Sequence, residues 1–186
     1  MKRTFDLLLA ILLLVLLIFP MLLISLAVLI SSKGPSIYWS ERIGRDNIVF
    51  KMPKFRSMTI GTPSVASDIL NNPESHLSPI GGFLRRTSLD ELPQLLSIIR
   101  GDMSFVGPRP ALFNQYELIS LRTAKGVDKL LPGITGWSQV NGRDELSINE
   151  KVILDEEYLK RQSFWLDNKI LLITLLRVIN KDGVAH

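Results

Sequence analysis

Two adjacent carboxylates, Asp90 and Glu91, begin a short apolar segment and could serve as nucleophile, metal ligand or proton carrier. Neighbouring side chains in a helix point about 100° apart, so the two acids need not share one task. One could attack an electrophile while the other orients a metal or a proton. Free backbone N–H groups at a helix start favour the ionised form of both carboxyl groups. The pair therefore indicates nucleophilic or metal-assisted chemistry.

The same acids also fit a purely structural interpretation. Ser88 could cap the helix while Glu91 reaches back to the cap, as in a capping box. Pro93 argues against a helix that begins at Ser88, because its missing N–H would leave the Leu89 carbonyl without a partner. A start nearer Asp90 fits Pro93 better, and both interpretations stay open from the residues alone.

Several basic side chains flank the acids and could bind phosphate. Lys54 and Arg56 would share one face of an extended strand, and Arg85 lies just upstream of the acid pair. Arg109 is carried by a stiff Gly-Pro-Arg-Pro turn. Exposed, solvated positions are the alternative for each of these residues.

A glycine-rich loop over residues 131–143 is the second unusual stretch. Its glycines and proline predict a tightly folded turn. The side chains that project from it belong to Trp137, Gln139, Asn141 and Arg143. An aromatic ring with amides and a guanidinium suits a base and phosphates, so a ligand loop and a structural turn are both possible.

The elements that must position these groups are mostly helical. A short buried helix is predicted between the acids and Gly101, followed by a strand over residues 104–106. Two further strands flank a polar turn at residues 44–47. Two more helices and a long surface loop are predicted at residues 111–127, 145–162 and 61–79. The expected fold class is α/β (α+β), rich in helix.

Residues 7–30 are almost entirely apolar and, at about 1.5 Å per residue, long enough to cross a bilayer. Length alone favours a straight span. Pro20 lies in the middle of the run, where it removes a backbone hydrogen bond. Basic residues flank both ends, so the positive-inside bias places both ends in the cytoplasm. We therefore predict a re-entrant helix that breaks at Pro20.

A second apolar segment covers residues 164–179 but carries charged residues. It is too charged to span a bilayer, so we expect it to pack in the core or to lie in the membrane interface with Trp165 at headgroup depth.

Composition narrows the function classes. The 186 residues predict one modest domain, and the absence of cysteine excludes disulfides and thiol catalysis. The net charge of +4 is compatible with an anionic membrane or phosphorylated ligands. Basic and aromatic residues do not alternate as in nucleic-acid-binding proteins, so no nucleic-acid partner is expected.

A series of motifs resembles those of the bacterial sugar transferase family, specifically its small monotopic phosphoglycosyl transferases. The motifs lie at residues 2–7, 54–58, 85–94, 101–104, 107–110, 132–136 and 139–143. They occur in the order of the family and cover nearly the whole chain. One departure is Phe19, since family members commonly have serine before the helix-breaking proline, where its hydroxyl could bond a freed carbonyl.

The resemblance implies transfer of a sugar 1-phosphate from a UDP-sugar to polyprenyl (undecaprenyl) phosphate, with release of UMP. It implies that Asp90 is the nucleophile of a covalent phosphosugar-aspartyl intermediate, that Glu91 is its acidic partner, and that Asp90 or Glu91 holds Mg2+. Substrate binding would fall to Lys54, Arg56, Arg85, Arg109, Gln139 and Arg143.

The resemblance also implies an architecture and a place in the cell. Residues 1–32 would form the re-entrant membrane helix, and residues 33–186 a cytoplasmic catalytic domain with interfacial amphipathic helices. The enzyme would lie at the cytoplasmic face of the bacterial inner membrane, with a homodimer possible. The alternatives are a hexose 1-phosphate transferase for exopolysaccharide, or a non-catalytic membrane-anchored scaffold with the same fold.

Overall fold

The apolar N-terminal segment forms one helix, α1 (Lys2–Ser31), in the computed structural model, which describes residues 2–63, 65, 72–142 and 145–180. The helix continues through Pro20, where the sequence predicted a break. One backbone hydrogen bond is lost there, while the leucine-rich turns on both sides keep theirs. In the described part of the chain, α1 is the one helix long and apolar enough to cross a membrane, with a mean hydropathy of 3.4.

One face of α1 packs against the rest of the protein, and the other faces expose apolar side chains. Residues on the packed face recur every three or four positions, as helix geometry requires. These residues are Asp6, Ala10, Leu13, Leu17, Met21, Ile24 and Val28. Leu8, Leu16 and Phe19 lie on the outward faces, each more than half exposed.

Polar contacts fix both ends of α1 to the body of the protein. The Ser104 hydroxyl donates to the buried Asp6 carboxylate over 2.8 Å, and Lys2 pairs with Asp167 over 2.5 Å. Near the other end, the Ser25 hydroxyl donates to the Ser36 hydroxyl over 2.7 Å. The helix is therefore docked along its whole length rather than at one end.

Two small sheets follow. Strands β1 (Ile37–Ile43) and β2 (Val49–Phe55) flank the polar turn, as predicted, and pair as an antiparallel hairpin. Its turn places Asp46 and Asn47 at φ of 55° and 59°, a left-handed conformation that short polar side chains tolerate. Strands β3 (Ser104–Val106) and β4 (Gly133–Thr135) form a parallel pair.

Glycine is required where β4 approaches the turn after β3. A Cβ on Gly133 would lie 2.2 Å from the backbone nitrogen of Gly107, and one on Gly136 would lie 2.1 Å from the Gly107 carbonyl oxygen. The close backbone approach holds the 107–110 turn against the glycine-rich loop, so two stretches that the sequence singled out are neighbours.

The remaining helices are α2 (Gly81–Arg86), α3 (Leu95–Arg100), α4 (Tyr116–Ala124), α5 (Ile148–Arg161) and α6 (Phe164–Asn180). Helix α3 ends at Gly101, with φ of 99°, as predicted. Helix α4 is shorter than the 111–127 pattern because the Gln115 side chain accepts a hydrogen bond from the Leu112 N–H and forms a turn before it. A capping box of Ser147 and Glu150 begins α5.

The main hydrophobic cluster joins α1 to α3, β2, β3, α5 and α6. Its buried members include Ala10, Met52, Ile98, Met103, Val106, Tyr158 and Ile170. A second cluster of Val28, Phe55 and Leu84 holds the far end of α1. The result is a mixed, helix-rich α/β fold, which confirms the predicted class; the division at residue 32 stays a prediction.

Candidate active site

The acid pair lies in a 3-10 turn, Leu89–Gln94, between α2 and α3. Ser88 precedes it at φ of 55°, in a left-handed conformation that is uncommon outside glycine, asparagine and aspartate. The Ser88 side chain makes no capping hydrogen bond, and Glu91 points to other partners. The capping-box interpretation is therefore wrong. Pro93 fits because the α-helix starts only at Leu95.

Glu91 is bonded to two cations. Its Oε1 accepts from Lys54 Nζ over 2.7 Å and from Arg109 Nη2 over 3.2 Å. Burial alone would raise the pKa of the Glu91 carboxyl, but the charges and hydrogen bonds of Lys54 and Arg109 outweigh it and hold that pKa well below its ordinary value. Glu91 is thus ionised and neutralised by its neighbours.

Asp90 has a different environment. It is 7% exposed, and its carboxylate makes no hydrogen bond within the described residues. Burial raises the pKa of the Asp90 carboxyl above its ordinary value, and the Glu91 charge adds to this, against the lowering effects of Lys54, Arg85 and Arg109. Two adjacent carboxyl groups therefore have pKa values shifted in opposite directions, an arrangement typical of sites that give two acids separate roles.

Arg109 is held in place through its backbone. Arg122 of α4 donates to the Arg109 carbonyl over 2.8 Å and pairs with Asp155 of α5 over 2.6 Å. The Ser138 hydroxyl donates to the same Asp155 carboxylate over 2.9 Å. The side chains of Arg122 and Asp155 therefore connect the Gly-Pro-Arg-Pro turn to α4 and α5. These contacts fix the backbone position of Arg109.

Sequence reasoning missed Arg122 and Asp155. A signal was present in α5, because Asp155 lies between Val152 and Tyr158 at spacings of three residues, and all three are buried. An acid on the buried face of a helix requires a partner.

A second guanidinium supports the next residue of the turn. Arg42 of β1 donates to the Pro110 carbonyl over 3.1 Å and to the Ser40 hydroxyl over 3.0 Å. Burial, together with the nearby charge of Arg109, lowers the pKa of Arg42 to about 10. Two consecutive carbonyls of the arginine-bearing turn are therefore each fixed by an arginine.

The remaining predicted residues occupy different places. Arg85 interacts electrostatically with Asp90 from α2. Arg56 is buried, and its Nη2 donates to Ser32 and Gly34 at the end of α1; within the described part of the chain it makes no hydrogen bond or ion pair with the acid pair. Arg143 lies outside the described residues.

Of the residues predicted in the glycine-rich loop, Gln139 lines the cleft beside Glu91 and Trp137 does not. Gln139 donates to the Ile134 carbonyl over 2.9 Å, while its Oε1 is buried without a partner among the described residues. The Trp137 N–H donates to Glu157, and its ring lies beside Arg161 and Lys169. The Trp137 ring is thus occupied by protein groups on α5 and α6.

A cleft of about 290 Å³ opens beside Glu91. Apolar side chains of α1, α3, β3, β4 and α6 form most of its walls. Its polar lining residues are Arg86, Ser88, Glu91, Arg109, Thr135, Gln139, Thr174 and Arg177. Such a cleft can accommodate a molecule that is both apolar and anionic.

A divalent cation would find few protein ligands here. Within the residues that the structure describes, no three histidine, aspartate or glutamate side chains converge. Asp90 and the second oxygen of Glu91 fit Mg2+, which commonly takes one or two carboxylates and completes its shell with water and substrate phosphates.

The site thus combines a buried acid, nearby cations and a cleft with apolar walls, in a protein whose N-terminal helix is long and apolar enough to cross a membrane. The chain belongs to the bacterial sugar transferase family, whose sequence profile matches residues 1–181.

Named proteins of similar sequence support the same family. The chain is 42% identical to the UDP-glucose:undecaprenyl-phosphate glucose-1-phosphate transferase of Escherichia coli K12, over 97% of this chain and 41% of the relative. It is 39% identical to the UDP-galactose-lipid carrier transferase of Erwinia amylovora, over 98% of this chain and 41% of the relative. The chain thus spans about two-fifths of the length of these relatives. It is also 38% identical to the uncharacterised sugar transferase EpsL of Bacillus subtilis, over 100% of this chain and 91% of the relative.

Proposed function

We propose that this protein transfers a sugar 1-phosphate from a UDP-sugar to undecaprenyl phosphate, with Asp90 as the covalent nucleophile. The observation that carries the proposal is the buried Asp90 carboxylate, which has a raised pKa and lies beside a Glu91 that Lys54 and Arg109 neutralise. The names of the relatives, which include undecaprenyl phosphate as acceptor, support the reaction class.

The proposed reaction has two displacement steps. An Asp90 carboxylate oxygen attacks the β-phosphorus of the UDP-sugar, the bond from that phosphorus to the bridging oxygen breaks, and UMP leaves with that oxygen. A phosphate oxygen of the lipid then attacks the same phosphorus and expels the Asp90 carboxylate. The products are polyprenyl-diphosphate-sugar and regenerated enzyme, so one site serves a water-soluble donor and a lipid acceptor in turn.

The cations around the acids make this attack feasible. A carboxylate and a diphosphate repel each other, and Arg85, Lys54 and Arg109 offset that repulsion at Asp90. The Arg109 side chain is 39% exposed at the cleft, so it can contact a substrate phosphate. Glu91 holds Lys54 and Arg109 in fixed positions, which reduces the reorganisation needed during reaction.

Asp90 and Glu91 are the proposed Mg2+ ligands. The bound cation would supply charge neutralisation for the diphosphate and the departing UMP. Because the Oε1 atom of Glu91 is already bonded to Lys54 and Arg109, its second oxygen is the one left for a metal.

For topology, we propose that both ends of α1 lie on the cytoplasmic side with the catalytic domain. Contacts of Lys2 and Asp6 at one end and Ser25 at the other support this arrangement. A span would have to detach one end from the domain and carry one basic flank across, against the positive-inside bias. The outward faces of α1, together with Trp165 of α6, which is 82% exposed, would contact lipid.

The sugar is the second question. Relatives named for glucose and galactose favour a hexose 1-phosphate donor. A decisive assay would incubate the purified full chain with undecaprenyl phosphate and Mg2+ and measure UMP release from a panel of UDP-hexoses and UDP-amino sugars. Release with one donor, absent in Asp90→Asn, is expected. No release with any donor would favour the non-catalytic scaffold.

A further inference from the structure

Two arginines that the proposed chemistry does not use line the cleft beside Glu91. Arg177 of α6 lies on one wall and Arg86, at the end of α2, lines the same cleft. Arg177 is half-buried and makes no hydrogen bond or ion pair with any residue that the structure describes. Lys54 and Arg109, in contrast, are already bonded to Glu91.

A partly buried guanidinium without an anion is unfavourable in an apolar setting. Leu171 and Val178 of α6 line the same cleft, so Arg177 lies between apolar lining residues along its helix. A phosphate would compensate this cost through charge-assisted hydrogen bonds, for which the planar guanidinium is well shaped. Arg177 therefore has the properties of a ligand-binding residue.

The position of Arg177 is fixed by its own helix. The hydroxyls of Thr174 and Thr135 are 2.7 Å apart, which joins α6 to β4. Leu171, Thr174 and Arg177 follow one another at three-residue spacing, and all three line the cleft. The contact between the two threonines thus sets which face of α6 is presented to the ligand.

The chemistry of the walls selects the occupant. Leu13 and Leu17 of α1 line the cleft, and α1 and α6 also have exposed apolar side chains such as Leu16 and Leu175. A UDP-sugar is polar at both ends and gains little from such walls. A long apolar chain that ends in a phosphate matches both the apolar walls and the two arginines.

We propose that Arg177, with Arg86, binds the phosphate of the polyprenyl-phosphate acceptor, in the same cleft that Glu91 and Arg109 line. This inference rests on the proposed function and deepens it. Helix α6 would then be part of the acceptor site, in addition to its contact with the membrane. Arg177 places the lipid phosphate in the cleft before it reaches the covalent sugar phosphate.

The test is direct binding of the full chain, in nanodiscs of neutral lipid, to undecaprenyl phosphate and to undecaprenol, which lacks the phosphate. The variants are Arg177→Gln, Arg177→Lys and Arg86→Ala. Arg45→Ala, which removes an exposed arginine on the β1–β2 turn, is the charge-matched control. Wild type and Arg45→Ala should prefer the phosphate form. Arg177→Gln should lose that preference by about ten- to a hundredfold, and Arg177→Lys should retain part of it.

Kinetics separate this subsite from the donor site. In Arg177→Gln, KM for undecaprenyl phosphate should rise by a similar factor, while UMP released in the first turnover without acceptor stays at the wild-type level. Unchanged lipid preference in Arg177→Gln would overturn the subsite while leaving the transferase proposal intact. Failure of wild type to use undecaprenyl phosphate would overturn both.

Two competition experiments show whether the site recognises the polyprenyl phosphate itself, a phospholipid headgroup or free phosphate. Phosphatidylglycerol and inorganic phosphate are added as competitors at concentrations above that of undecaprenyl phosphate. Weak competition by both supports recognition of phosphate and isoprenoid chain together. Full displacement by phosphatidylglycerol would show a general lipid-headgroup site and overturn the assignment to the acceptor. For Arg86, an unchanged preference in Arg86→Ala would remove that residue from the subsite.

Discussion

Lys54 Nζ lies 2.7 Å from Glu91 Oε1, although 37 residues separate the two in sequence. This pair, with Arg109 on the same oxygen, commits Glu91 to holding cations. Asp90 is left as the carboxylate without a hydrogen bond in the described structure and with the raised pKa. The pair thus distinguishes two acids that the sequence presents as equivalent.

Asp90→Asn should abolish turnover and the covalent adduct, because an amide cannot attack phosphorus at a useful rate. UMP release and intact-protein mass after incubation with donor would measure both effects. Glu117→Gln, which neutralises an exposed acid of α4, is the control and should behave as wild type. Wild-type UMP release from Asp90→Asn would exclude this residue as the nucleophile.

The two acids should have opposite effects on stability at neutral pH. Folding raises the pKa of the Asp90 carboxyl above its ordinary value of 3.8, so the ionised carboxylate destabilises the folded state at neutral pH. Asp90→Asn removes this charge and should therefore raise Tm. Folding lowers the pKa of Glu91, whose charge stabilises the protein above the ordinary value of 4.5. Glu91→Gln removes the carboxylate that bonds both Lys54 and Arg109 and should cost about 3 kcal/mol. Thermal unfolding in one detergent would compare them, and changes of the same sign would contradict the assignment.

The pH dependence of kcat/KM should report Asp90. Attack requires the ionised carboxylate, so activity should fall on the acid side at a pH above 3.8, the ordinary pKa of aspartate. Glu91→Gln removes a negative neighbour that raises the pKa of Asp90, and it should move the acid limb to lower pH in whatever activity remains. If Glu91→Gln does not shift the acid limb of the kcat/KM profile, the titrating group is not Asp90.

Removal of divalent metal should stop the reaction at the first step. Excess EDTA is expected to abolish UMP release, and added Mg2+ should restore it, because Lys54 and Arg109 are already bonded to Glu91 and a divalent cation would neutralise the diphosphate. As a control, Ca2+ is added in place of Mg2+ to enzyme that has been dialysed against EDTA. This control separates a requirement for Mg2+ from a general effect of removing divalent ions. Full activity in EDTA would refute the metal requirement.

The topology of α1 can be tested in this cysteine-free chain. Single cysteines at Thr4, an exposed residue near the start of α1, and at Ser120, an exposed residue of α4, should both resist an impermeant thiol reagent in intact cells. Both should react after lysis. Labelling of the Thr4 cysteine in intact cells, with the Ser120 cysteine protected, would show instead that α1 spans the membrane.

The sequence by itself determined the local features. The apolar run of α1, the β1–β2 hairpin, the end of α3 at Gly101 and the strand β3 were predicted because periodicity and turn chemistry act over a few residues. The motif series also gave the family, which the profile match confirms. The position of Asp90 and Glu91 before a buried helix followed from the same local signals.

Only the tertiary structure decided which groups meet. It assigned Lys54 and Arg109 to Glu91, directed Arg56 to the end of α1, and left Arg177 facing the cleft. In the tertiary structure, Arg122 pairs with Asp155 next to the turn that carries Arg109, and α1 continues as one helix through Pro20. The physical reason is that burial and charge pairing depend on distances between residues far apart in the chain, which no local pattern encodes.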